Sequence, residues 1–162
     1  MLFPIIVFTV GIAGLVSLRR GAFFVPTNKA AVSSMIEGLR VEPGDRAVDL
    51  GSGDGRIVIA LAGTGAEAHG YEHNPILVWW SRHKIRKAGL SGRAFIHCSN
   101  FWNNDFSGFT VVTVFGISYI MAALEAKLKK EAKPGTRIAS YTFPFPTLKP
   151  LVRKNGVYFY KI

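Results

Sequence analysis

The residues of this chain best suited to chemistry are Asp49-Leu50-Gly51-Ser52-Gly53-Asp54-Gly55-Arg56, three glycines within five residues behind an acid. Glycine adopts backbone angles denied to other residues and carries no Cβ, so such a turn lets a ligand approach the main chain closely. A dinucleotide turn of the GxGxxG type would carry glycine or alanine at position 56, but Arg56 stands there and the spacing is GxGxG. An acid two residues ahead of the first glycine suits a nucleoside-bearing cofactor with a free amino group. S-adenosylmethionine has one, and it carries a carboxylate that N–H groups at the start of a following helix can meet. Asp49, Gly51, Ser52, Gly53 and Gly55 are therefore the expected cofactor-binding residues of the turn.

Glu72 lies 17 residues beyond Gly55, at the expected end of a second strand. An acid there can accept hydrogen bonds from both hydroxyls of a ribose. At the end of a third strand, Asn100 is placed to pair with the edge of an adenine, with Phe101 or Trp102 against its face.

The elements that must position these residues follow from periodicity and punctuation. Thr27 is the expected N-cap of a helix carrying Val32, Met35, Ile36 and Leu39 at helical spacing and ending near Pro43-Gly44. Strand 46–50 hands over through the glycines to helix 57–62, followed by strand 66–72 and helix 75–88, with Pro75 in its first turn. Strands 93–98 and 110–115, helix 119–132 and strand 136–143 continue the alternation, and 157–161 supplies an antiparallel edge strand. The helix 119–132 places Ile120, Leu124 and Leu128 on one stripe, with Glu125 and Lys129 expected outside as a surface ion pair. The expected fold is α/β: a Rossmann-like, doubly wound, mostly parallel sheet.

Composition agrees with a packed domain, since 49% of the residues are hydrophobic and only 19% charged. The balance of 20 Lys and Arg against 10 Asp and Glu, a formal charge of +10, suits an anionic neighbour: phospholipid, nucleic acid or an acidic protein. Cys98, the single cysteine, permits no internal disulfide and is expected to be packed. His69, His73, His83 and His97 show no metal-ligand spacing, so no metal site is expected. No GxxxxGK[ST], HExxH or GxSxG occurs, which excludes the commonest phosphate-loop, metallopeptidase and serine-hydrolase motifs.

Met1 to Leu18 contains no charged residue, and as a helix would be ~27 Å long against a ~30 Å hydrocarbon layer. Arg19-Arg20 follow directly, so the positive-inside tendency keeps what comes after on the cytoplasmic side. The expected organisation is a single-pass transmembrane anchor over 1–20 that contacts membrane lipid, and a catalytic domain over 21–162.

The chain resembles the small seven-β-strand (class I) protein-lysine N-methyltransferases. These include mitochondrial enzymes acting on the ATP synthase c subunit and on the adenine nucleotide translocase, and a soluble archaeal relative of broad protein-lysine specificity. The resemblance is carried by Phe24-Val25-Pro26-Thr27, by Val48 to Val58, by Gly70-Tyr71-Glu72, by Leu124 to Leu128 with Pro134 to Arg137, and by Phe143-Pro144-Phe145-Pro146. It implies that Val25, Pro26 and Thr27 close over the cofactor beside the glycine loop, which adds Pro26 and Thr27 to the expected cofactor contacts. It also implies a methyl transfer to a lysine amine of a protein, with a monomer expected. Many members carry Asp where Asn100 stands.

Methyl transfer to lysine needs alignment and an apolar channel that favours the neutral amine. Phe24, Trp102, Tyr119, Tyr141, Phe143 and Phe145 are the aromatic candidates, with Phe143, Phe145 and Trp102 the first choices for the channel. No side chain stands out as a general base. The alternatives are a methyltransferase acting on RNA through its basic helical faces, or on a small molecule, and a non-catalytic module that binds S-adenosylmethionine. The D/NPPY element of amino-methylating nucleic-acid enzymes is absent after the fourth strand, where Phe115-Gly116-Ile117-Ser118 stands.

Overall fold

The computed structural model describes residues 25–162, so Phe24 and the expected anchor over 1–20 lie outside the described residues. Among the described residues no helix is long and apolar enough to cross a membrane. The described residues form four helices and seven strands, in chain order α1 (Lys29–Leu39), β1 (Arg46–Leu50), α2 (Arg56–Gly63), β2 (Glu67–Glu72), α3 (Pro75–Lys87), β3 (Ala94–Cys98), β4 (Val111–Val114), α4 (Met121–Glu131), β5 (Arg137–Tyr141), β6 (Val152–Lys154) and β7 (Val157–Lys161). The strands form one sheet of order β3-β2-β1-β4-β5-β7-β6. Strands β1 to β5 pair in parallel, and β7 runs antiparallel to both β5 and β6. The expected doubly wound, mostly parallel sheet is thus the observed one.

Successive side chains of each strand point to opposite faces, and the two cores separate accordingly. Ala47, Ala68, Ala94, Val111 and Ala139 pack against α1, α2 and α3, through Met35, Leu39, Val58, Leu61 and Ile85. On the other face Val48, Leu50, Val112, Val114 and Ile138 meet Leu124 and Leu128 of α4, with Phe106, Phe109, Phe145 and Tyr160. Both faces are covered, so the central strands read as almost continuous apolar runs, as parallel sheets require.

Several expectations are corrected. The N-cap of α1 is Asn28, not Thr27: the Asn28 Oδ1 accepts from the Ala31 N–H at 2.8 Å, while Thr27 is buried one residue earlier. Helix α4 is preceded by a 3-10 turn over Ser118–Ile120, so the α-helix begins at Met121. Glu125 is only 3% exposed, because Met121, Leu124, Glu125 and Leu128 fall at i, i+3, i+4 and i+7 on the inward stripe. Cys98 is exposed rather than packed, since it ends β3, the strand at one edge of the sheet. Strand β7 is internal, and the edge beyond it is β6, a three-residue strand with every side chain exposed.

Gly70 in β2 shows how tightly the sheet supports the glycine turn. A Cβ there would lie 2.6 Å from both Cβ and Oγ of Ser52 and 2.8 Å from Cδ1 of Ile96. Gly70→Ala is therefore expected to destabilise the fold by about 1–3 kcal/mol, the usual range for overpacking, read as a lower denaturant midpoint at unchanged slope.

Candidate active site

The parallel strands bring their C-terminal ends into line: Leu50 is paired with Tyr71 in β2 and with Val114 in β4, and Val114 with Ser140 in β5. Chain leaving these ends encloses a cleft of about 880 Å³. Pro26, Thr27, Asp49, Gly51, Ser52, Gly53, Glu72, Asn100, Phe101, Trp102 and Phe143 all line it. Gly55 is expected among them but is set back as the N-cap of α2, with φ of 77° and Ser81 Cβ 2.8 Å from where its own Cβ would be. Phe145 is not on the wall. It is buried in the α4-side core with its ring edge-to-face on Tyr160, centroids 5.0 Å apart, and its N–H donates to the Tyr160 hydroxyl at 3.1 Å. Phe143, two residues earlier in the same F-P-F-P run, lines the cleft and is only partly buried against the same core.

Three carboxylates surround the glycine turn, and each is compensated differently. Glu72 is buried, with Oε2 accepting from the Gly53 N–H at 3.0 Å and Oε1 from the Asn74 N–H at 2.8 Å. Asp54 accepts from Arg56 Nε and Nη2, each at 2.9 Å, and from Lys84 Nζ at 2.8 Å. Burial alone would raise its pKa, but the two cations hold it down at about 2. Among the described residues Asp49 has only the Thr113 hydroxyl, which donates to Oδ1 at 2.8 Å from the neighbouring strand. Burial, and then the charges of Glu72 and Asp54, push Asp49 up to about 7.

The turn also holds an unpartnered polar atom. The Oγ of Ser52 is buried and makes no hydrogen bond within the described structure. Arg56, besides gripping Asp54, donates through Nη1 to the Thr27 carbonyl at 2.8 Å. That bond ties the segment ahead of α1 to the glycine turn. On the far side, Asn100 caps the 3-10 turn Phe101–Asn103 by accepting from the Trp102 N–H at 3.1 Å, which leaves its amide N–H groups for a ligand.

The other end of the cleft is aromatic. Phe115 lies edge-to-face on Tyr141 with centroids 4.9 Å apart, and Tyr141 accepts at its hydroxyl from the Asn28 amide at 2.8 Å. Tyr141 itself stands behind Phe115 and is not on the wall, whereas Tyr119 is at the mouth and 74% exposed. The loop bearing Phe143 is tied to α4 by Glu125, which accepts from the Thr147 N–H at 2.9 Å and from Lys129 Nζ at 2.5 Å, and also from the Thr147 hydroxyl. Thr113, Lys84, Leu77 and Phe115 were not expected at the site. Thr113 alone left a trace, a hydroxyl amid the valines of Val111-Val112-Thr113-Val114 in a fully buried strand.

The sheet order, the glycine turn after β1 and the acid ending β2 together define a class I methyltransferase fold. A family model described as the ANTKMT methyltransferase domain matches residues 49–152, and the chain belongs to that family. The mouse lysine N-methyltransferase of the ATP synthase c subunit is 43% identical over 127 residues, which are 78% of this chain and 51% of the relative. A protein-lysine N-methyltransferase of Saccharolobus islandicus (strain REY15A) is 41% identical over 122 residues, 74% of this chain and 76% of that one. Among solved structures, an RNA methyltransferase from Salinibacter ruber in complex with S-adenosyl-L-homocysteine superposes with a TM-score of 0.81 at 36% identity, covering 85% of this chain and 94% of that chain. The chain spans about half the length of the mouse and human ATP synthase methyltransferases it matches.

The raised pKa of Asp49 has a consequence for stability. Unfolded, Asp49 titrates near its ordinary 3.8; folded, near 7. The folded state therefore holds the extra proton between these values, and the contribution of Asp49 to stability falls as pH rises through that window. Asp49→Asn is expected to remove this slope. In thermal unfolding of the ligand-free protein, the variant should gain on the parent between pH 5 and pH 8.

Proposed function

We propose that this chain is an S-adenosylmethionine-dependent methyltransferase that methylates a lysine side chain of a protein, and that residues 1–20 anchor it so that the acceptor is a membrane protein. The observation that carries the cofactor reading is the imbalance at the glycine turn: Asp49, buried and short of partners, calls for a cation, and the α-ammonium of this cofactor is one. The unpartnered Ser52 Oγ and the unused amide N–H groups of Asn100 fit a ligand with further polar groups. In this reading Asp49 takes the ammonium, Gly51, Ser52, Gly53 and the N-terminus of α2 meet the carboxylate, and Glu72 the ribose hydroxyls. Asn100 and Phe101 hold the adenine, with Pro26 and Thr27 closing over the turn; Gly55 supports it from behind. The bound cofactor supplies a methyl group already activated on a sulfonium.

What the chain adds is alignment and dryness. Trp102, Phe115 and Phe143 are aromatic walls of the cleft, and a lysine amine entering beside them loses water. Desolvation disfavours the ammonium, so the proton leaves to solvent at the mouth and the lone pair is freed to attack in line. No general base is assigned. The lysine reading is supported by the two relatives that are protein-lysine methyltransferases. A second reading, RNA as the acceptor, is favoured by the neighbour from Salinibacter ruber, whose length this chain nearly spans.

Calorimetric titration tests the cofactor assignment. S-adenosylmethionine is expected to bind and NAD not, with Asp49→Asn weakening the affinity at least about tenfold. Because Asp49 must be ionised to face the ammonium, affinity should fall roughly five- to tenfold between pH 7.5 and pH 6, and binding near pH 6.5 should release a proton, seen as a dependence on buffer ionisation enthalpy. Absence of binding overturns the assignment. Transfer of labelled methyl to a membrane fraction, with the label recovered as methyl-lysine after hydrolysis, then tests the acceptor; label released by ribonuclease would favour RNA instead.

A further inference from the structure

Helix α3 carries an exposed face that the cleft does not use. Ile76, Trp79, Trp80, His83 and Lys87 recur at i, i+3, i+4, i+7 and i+11, and Arg82 and Arg86 flank them. Ile76, Trp79 and Trp80 are 59%, 62% and 53% exposed, and Trp79 stacks on His83 with ring centroids 6.1 Å apart. Isolated apolar side chains on a surface are ordinary, but two adjacent tryptophans beside an isoleucine on one helical turn form a patch. The buried face of α3, Val78, Ser81 and Ile85, packs it on the sheet, and the patch lies outside that face.

The charge around the patch is of one sign. Helix α3 contains no Asp or Glu, and Arg82, Lys84, Arg86 and Lys87 occupy its second half. Lys84 is taken up by Asp54, and Arg82 also donates to the Ile96 carbonyl, at 2.7 Å from Nη2. Arg86 and Lys87 make no ion pair among the described residues. Tryptophans with an apolar neighbour and a fringe of Arg and Lys are the composition of a surface that rests in the headgroup layer of a bilayer, where an indole is half apolar and half wet and the cations meet anionic lipid.

We infer that α3 docks this domain on an anionic lipid surface through Ile76, Trp79 and Trp80, with Arg82, Arg86 and Lys87 on the phosphates. The uncharged run from Met1 to Leu18, followed by Arg19-Arg20, points to the same kind of surface by an independent feature of the sequence. Leu77 and Asn74, at the start of α3, line the cleft, so docking sets the cleft mouth beside the lipid. The inference concerns binding alone and stands whichever acceptor is methylated.

The test uses the full chain carrying Trp102→Phe, which leaves Trp79 and Trp80 as the only indoles. The protein is reconstituted with vesicles of phosphatidylcholine containing one-third phosphatidylglycerol, with or without bromine near the top of the acyl chain. Tryptophan emission is expected to shift to the blue and to lose about half its intensity or more to the brominated lipid. The quenching should largely disappear in pure phosphatidylcholine, at high salt, and in Arg82→Glu/Arg86→Glu/Lys87→Glu. Emission indifferent to brominated lipid overturns the inference, and so does quenching equal in charged and neutral vesicles. Emission shielded from both lipid and aqueous quencher would assign the patch to the chain's own N-terminal segment. A response to a short single-stranded oligoribonucleotide in place of lipid would assign it to nucleic acid; either result overturns the lipid reading.

Discussion

Everything at the site follows from placing three carboxylates around one turn in a medium that cannot solvate them. Parallel strand ends and the left-handed backbone at Gly51 and Gly53 bring Asp49, Asp54 and Glu72 together, and each must find compensation within the protein. Asp54 takes two cations and Glu72 takes two backbone amides. Asp49 receives one hydroxyl, and the deficit is left standing on the wall of the cleft. A site with an unfilled demand for positive charge is selective before any shape is considered, and it is selective because its neighbours have been satisfied so completely.

Shared use of single side chains explains how a short chain closes both ends of the cleft. Asn28 caps α1 through its carbonyl oxygen and steadies Tyr141 through its amide, so one side chain connects the entry segment to the aromatic end. Glu125 holds the loop after β5 rather than forming a solvated pair, and its burial is tolerable because Lys129 and Thr147 between them meet both oxygens. The carboxyl is held below its usual range as a result, burial opposing and those donors prevailing. Helix α4 therefore supplies both the apolar floor under the sheet and the hold on the loop that carries Phe143.

Much of this was legible in the residues. The handover from β1 through Gly51, Gly53 and Gly55 into α2, the acid ending β2 and the Asn74-Pro75 start of α3 are local signals, decided by sterics and capping within a few residues. What escaped depended on partners far along the chain. Glu125 reads as a surface acid until Thr147 is known to lie over it. Phe143 and Phe145 are equivalent in the sequence until the packing of Phe145 on Tyr160 shows which of them is core and which lines the cleft. Strand β6 has no buried face, so it carries no periodic pattern to find, and only its pairing with β7 makes it a strand. Thr27 and Asn28 are both capping types in the sequence; Asn28 takes the cap, while Thr27 is buried with its carbonyl accepting from Arg56.

The bond from Arg56 to the Thr27 carbonyl makes two parts of the molecule thermodynamic partners. Whatever steadies the glycine turn steadies Arg56 and, through it, the strand of backbone leading back toward the N-terminal apolar run. Linkage is reciprocal, so a restraint on the backbone at Thr27 alters the hold on whatever occupies the turn by the same free energy. The grip on the turn is thus set partly from outside it, by a stretch of backbone ahead of α1 that reaches it through a single guanidinium.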